Sequence, residues 1–224
     1  MRNAYKMMML DMHAVSARNN VVYIYLAIDL ITIGLAYSPM REDAFLIGFG
    51  GMIGGSGAYL ITPFISSAQR SLDALYAMLP IRRRDVVHGH YLFALTVGLL
   101  MLANTWLTLM VIHLLRPALF GSDFQILLSV SLVGPYMLLM MTAVQYPILM
   151  RVSYEKAPYA VFLPFIVTGL FVGYLGGISS QFVGTAGFLS RRGLRIGGIA
   201  LAVGAVLFVG SLWLARRLYE YRDL

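Results

Sequence analysis

The sequence predicts an all-α integral membrane protein, a single transmembrane domain over residues 1–224 with six transmembrane helices and both termini cytoplasmic. Three observations predict it. First, of the 224 residues 59% are hydrophobic and only 12% charged, against about 45–50% and about 25% in a soluble domain. With a mean hydropathy of +0.77, the chain has too little charge to cover its core in water. Second, stretches apolar enough for a spanning helix of about 20 residues occur at 21–37, 44–61, 91–115, 126–149, 159–177 and 196–214. Third, the basic residues are segregated. An even number of spans puts both termini on one side, and twelve of the seventeen Lys and Arg fall there, which by the positive-inside rule is the cytoplasm.

The net charge of +7 and the pI of about 9.8 would suggest a nucleic-acid partner in a soluble protein. In a membrane chain the same charge belongs to loops facing anionic lipid, so membrane lipid is the expected partner and nucleic acid is not. There is no cysteine, which excludes disulfides and thiolate chemistry.

Residues 1–20 are basic, but the apolar stretch after them is too long for a signal peptide, contains Asp29 and has no small-residue cleavage site. Tyr5, Met8, Met9, Met12 and Val15 recur at helical spacing, with Arg2, Lys6, His13 and Arg18 off that stripe. This predicts an interfacial helix. In the first span Asp29 is the one acid set well inside an apolar stretch, a costly position that favours a bundle interior or an aqueous cavity. It is either a functional acid or a locally hydrogen-bonded one, with Tyr23, Tyr25 or Thr32 in reach. Asn104, Thr105, Thr108 and Gln145 either line the same interior or make interhelical hydrogen bonds.

The second span carries GFGGMIGGSG at 48–57. Gly50 with Gly54, and Gly51 with Gly55, give the small-xxx-small spacing of close helix packing. No Lys-Ser or Lys-Thr follows, so this is not a phosphate loop. The GGSG at 54–57 matches the Gly-x-Ser-Gly nucleophile motif of rhomboid-type intramembrane proteases. Ser56 would need a histidine base on a late span, and His13, His88, His90 and His113 supply none. His88 and His90, two residues apart, face different sides of a helix and cannot share a metal; both are expected to be interfacial and unliganded, and no metal site is expected.

After the second span Phe64, Ile65, Ala68, Leu72, Leu75, Tyr76 and Leu79 form the apolar face of an amphipathic helix. That helix stops at Leu79 because Pro80 disfavours helical geometry in the residue before it. A new helix begins near Arg82, Arg83, Arg84 and Asp85 and runs into the third span. Arginines there oppose the helix dipole by about 0.3–1 kcal/mol each, so lipid phosphates or an acidic partner must compensate them. The fourth span contains Gly134 and Pro135, a kink that neighbouring helices can satisfy. Before the sixth span the cluster Arg191, Arg192 and Arg195 sits on the non-cytoplasmic side, against the charge rule. Either it is an outward basic loop or the last two spans are misplaced.

LYAMLPIRRRDVVHGHY at 75–91 resembles the segment after the second span in small bacterial type-2 ABC transporter permeases, with Leu79, Pro80, Ile81, Arg83, Val87, Gly89 and Tyr91 on the family pattern. QYPILMRVSYEKA at 145–157 and LYEYRDL at 218–224 resemble two further segments of that family, and His90 departs from it. The resemblance implies a permease subunit of an ATP-driven exporter in the bacterial cytoplasmic (inner) membrane. Its partners would be an ABC ATP-binding subunit, which holds ATP and Mg, and a second permease copy or paralogue. The ATPase would contact residues about 3–18 and about 65–85, placing Leu79, Pro80, Arg82, Arg83, Arg84 and Asp85 in the coupling segment, and residues 178–195 would be an outward or re-entrant element. The chain has no Walker-type loop, so no cofactor and no catalytic residue is expected in it. The alternatives are an intramembrane hydrolase using Ser56, and an immunity or assembly protein that transports nothing.

Overall fold

The computed structural model describes residues 2–16, 21–37, 56–57, 59–64, 82–115, 124–151 and 191–221. All regular structure among them is helical. The elements are α1 (Arg2–Ser16), α2 (Val21–Ala36), α3 (Arg83–Leu115), α4 (Phe124–Arg151) and α5 (Arg191–Glu220), with further helical residues at 56–57 and 59–64. The fifth expected span, Gly50, Gly51, Gly54, Gly55, Leu79 and Pro80 lie outside the described residues.

Helix α3 is the axis of the fold, and α1, α2, α4 and α5 all pack against it. Its buried residues His90, Ala94, Val97, Met101, Thr105, Thr108 and Ile112 recur every three or four positions, one face of a single helix. The opposite face is apolar too: Leu92, Leu95, Leu99, Leu107, Met110 and Leu114 are all exposed. A helix that is apolar on both its buried and its outer face suits lipid rather than water. Among the described residues, α3 and the Leu201–Glu220 part of α5 are long and apolar enough to cross a membrane, and Tyr23–Ala36 is a shorter apolar helix.

Thirty-three residues give α3 a length of about 50 Å at 1.5 Å per residue, while the hydrocarbon core is about 30 Å thick. The excess is polar at the N-terminal end, where Arg83, Arg84, Asp85 and His88 lie. As the sequence predicts, the helix starts at the arginine run and continues without a break into the apolar span.

The core is aromatic. Tyr91 meets Tyr146 edge-on with ring centroids 5.1 Å apart, and Phe208 in the same manner at 5.1 Å; Phe64 meets Tyr146 at 5.1 Å. These rings join α3, α4, α5 and the 59–64 segment. Edge-to-face pairs of this kind contribute about 0.5–1.5 kcal/mol beyond their buried area. The most extensive pairing is α4 with α5, and Gly204 makes room for it, since a side chain there would come within 3.2 Å of the Tyr136 ring. Pro135 and Pro147 lie inside α4, which continues through both.

One boundary departs from expectation. The sixth span was predicted from 196, but α5 begins at Arg191, so Arg191, Arg192 and Arg195 start a helix instead of forming a loop. In α1 a second face is packed inward, with Ala4, Met7 and Asp11 buried, while Tyr5 and Met9 of the predicted interfacial stripe are exposed. The reason lies in α3, which offers a glycine and a buried histidine to that edge of α1.

Candidate functional site

The contact between α1 and the first turns of α3 begins at Gly89, where a Cβ would collide with Met7 Cβ and approach Ala4 O to 3.1 Å. Only glycine lets the two backbones come this close. One residue on, His90 Nδ1 donates to Asp11 Oδ2 at 2.7 Å, with both side chains almost sealed from solvent. The His90 ring also packs on Phe64 with centroids 4.9 Å apart. Thr96 Oγ1 lies 3.4 Å from Met8 Sδ, and Asn3 makes a long 3.5 Å contact to Asp85. The N-terminal helix is thus packed directly on the first turns of α3.

His90 was expected to lie at the interface; it is instead buried and hydrogen-bonded to Asp11. Composition could not show this, because the partner is 79 positions away. One signal was present: Asp11 is the sole acid in residues 1–20. His88 does face elsewhere, as predicted, and bonds the Arg84 carbonyl at 2.6 Å.

The arginine run opens α3. Arg82 O accepts from Asp85 N at 2.8 Å to form the first turn. Arg84 Nε donates to Glu220 Oε1 at 2.7 Å, and Arg83 Nη1 donates to the Glu220 carbonyl at 3.1 Å. The compensation that the sequence demands therefore comes in part from the end of α5 in the same chain. The hydrogen bond from Arg84 holds the Glu220 carboxyl below the usual carboxylate range, with Arg216 and Arg217 adding to the effect. This pairing runs against both helix dipoles, which favour acid at the start of a helix and base at its end. Helix stability alone would have chosen the reverse arrangement.

Behind this end Tyr91, a residue of the 75–91 pattern, locks three helices. Ser211 Oγ donates to Ala143 O at 2.7 Å. Its single hydrogen is thereby used, so the Tyr91 hydroxyl is the donor in the 2.7 Å bond between them. Val87, also on the pattern, is fully buried.

Farther along α3 the polar residues singled out in the spans come together. Asn104 Nδ2 donates to Asp29 Oδ1 at 3.0 Å and Oδ2 at 3.1 Å, and Thr108 Oγ1 lies 2.8 Å from Oδ1. Of the partners expected for Asp29, Thr32 donates instead to Ile28 O at 2.7 Å. Tyr25 is hydrogen-bonded to Ser56, and Tyr23 is exposed. Gln145 is fully buried, and its amide atoms have no hydrogen-bond partner among the described residues. The Ser56 hydroxyl, sealed from solvent, is thus paired with a tyrosine and not with a histidine that could serve as its base.

The arginine run and the polar cluster lie on one continuous helix. Arg83 and Arg84 sit at one end of α3, and Asn104 and Thr108 sit about 30 Å along the same helix at 1.5 Å per residue. In comparison with known proteins, the model of a family described as ABC-2 family transporter protein matches residues 12–220. No curated protein matches the chain.

Proposed function

The chain belongs to the ABC-2 family of membrane transporter proteins, and from that premise we propose that it is the permease subunit of an ATP-driven exporter. A separate ATP-binding subunit holds ATP and Mg and docks on the arginine-bearing end of α3 together with α1. A second copy of the chain, or a paralogue, completes the pathway. The chain crosses the bacterial cytoplasmic membrane six times with both termini inside. Peptides, antibiotics and lipid-like amphiphiles are the substrate class that this family and an apolar, aromatic core suit.

One observation carries this reading: α1 and the start of α3 are joined by Gly89 and by the buried Asp11–His90 pair. The N-terminal helix, for which the family resemblance implies ATPase contact, is thereby fastened to α3 just beyond Arg82–Asp85, the end of the second contact segment at about 65–85. Closure of the ATPase subunits moves this unit as a rigid body, and α3 transmits the movement past Asp29 to the far side. The basic pole at the start of α3, kept in spite of the helix dipole, provides the charge that an acidic groove on the ATPase would grip.

Replacing Arg82, Arg83 and Arg84 with Glu tests the assignment. The variant is expected to insert and fold but to lose the ATP-binding subunit on co-purification, and with it export. Survival of both complex formation and export overturns the docking assignment.

A further inference from the structure

Helix α5 presents one continuous exposed face through Ile199, Val203, Val206, Gly210, Trp213 and Arg217, each three or four residues after the last. The spacing places them in a single row. The upper part is purely apolar, with Ile199 66% and Val206 71% exposed. The row then passes through Trp213 and ends at Arg217, whose guanidinium carbon stacks 4.0 Å above the Trp213 ring centroid. Beside this end lies a cleft of about 410 Å³ lined by Arg84, Trp213, Arg216, Arg217, Glu220 and Tyr221. Three cations outnumber one acid there, and the acid is taken up by Arg84.

We propose that this cleft binds the headgroup of an anionic phospholipid, whose acyl chains lie along the apolar row of α5. Three features select this occupant. The order along the face is apolar, then aromatic, then basic, the order of a phospholipid from tail to phosphate. The stack on Trp213 fixes the Arg217 guanidinium in place, which lowers the ordering cost of gripping a phosphate. A small soluble anion would use only the arginines and leave the row uncovered. A second copy packed on the same face by a two-fold axis along the membrane normal would set Arg217 against Arg217, a like-charge contact.

The test uses the full chain in phosphatidylcholine nanodiscs. Trp106→Phe leaves Trp213 as the reporter, and phosphatidylglycerol or phosphatidylcholine brominated near the top of the acyl chain is titrated in as quencher. Quenching at a lower mole fraction by the phosphatidylglycerol is expected. That preference should fall about fivefold for each of Arg216→Gln and Arg217→Gln, leaving equal quenching by the two lipids in the double variant. Native mass spectrometry of the unmodified chain with both lipids, unbrominated and at equal concentration, gives a second readout. There phosphatidylglycerol adducts should survive delipidation and disappear in the double variant. Equal quenching in the parent, or a preference that outlives both arginines, overturns the proposal. So does a Trp213 that neither lipid reaches because a second copy covers it.

Discussion

His90 and Asp11 are hydrogen-bonded to each other inside the protein, 2.7 Å apart and both nearly sealed from water, fastening an N-terminal helix to the longest of the described helices. Breaking such a pair leaves its two halves in unequal positions. His90→Ala strands a carboxylate and is expected to cost about 3–5 kcal/mol. Asp11→Ala leaves only an imidazole without its acceptor, about 1–3 kcal/mol. Replacing both with Leu should cost less than the two single changes together. Unfolding in SDS, followed for all four proteins, measures the coupling; simple additivity would sink this account of the joint.

Gly89 has a second, purely steric role in the same joint. Gly89→Ala must push α1 away from α3, because the added carbon collides with Met7. A loss of about 1–3 kcal/mol is expected, with α1 becoming open to proteolysis. Gly98, nine residues along the same helix, is the control: its nearest neighbour would be Leu138 at 3.8 Å, an ordinary contact. Gly98→Ala should be neutral or stabilise by about 0.5–1 kcal/mol. Equal effects at the two glycines would show that close approach is not what Gly89 supplies.

How much of this was legible in the sequence varied with the range of the interaction. Local patterns gave the third span well: the start of α3 at the arginine run and its unbroken course through the span depend on neighbours a few residues apart. Asp29 stood out as the acid inside a span, but its partners did not: Tyr23, Tyr25 and Thr32 were expected, and Asn104 and Thr108 hold it instead. The Asp11–His90 pair was not legible, since periodicity counts Asp11 as a polar residue and turns it outward. Nor could Glu220 be read as the partner of Arg84, as the meeting of α3 and α5 is a property of the packed bundle.

Tyr91 donates to a serine that has already spent its own hydrogen on Ala143. Tyr91→Phe removes one bond and leaves Ser211 satisfied through Ala143, so about 0.5–1.5 kcal/mol is expected. Ser211→Ala strands both the tyrosine hydroxyl and the carbonyl and should cost more, about 1–3 kcal/mol. Reversal of that order, measured by thermal unfolding in detergent, would reject the assigned direction of the hydrogen bond.

The Arg84–Glu220 pair is exposed at the end of the bundle, and its pH dependence follows from its sign. The folded carboxyl titrates below its ordinary 4.5. The contribution of the pair is therefore complete above that value and is lost as pH falls through the lowered one. Between pH 6 and 8 the contact should not change, which titration of a labelled Glu220 by NMR would check. Arg84→Glu sets two acids against each other, and adding Glu220→Arg restores an opposite pair that now agrees with both helix dipoles. The doubly changed chain is expected to recover the stability of the parent but not its hold on the ATP-binding subunit. Recovery of both would mean that Arg84 serves only the fold.

On the proposed reading, the ATP-binding subunit docks on the end of the bundle formed by α1 and the start of α3. Site-specific photo-crosslinking tests it most directly, with a photoreactive residue placed at Arg82 or Tyr5 and, at the other end of α3, at Leu114. All three positions are exposed. In membranes that contain the ATP-binding subunit, crosslinks to it are expected from Arg82 and Tyr5 and not from Leu114. Crosslinks from Leu114 with none from Arg82 or Tyr5 would contradict the account.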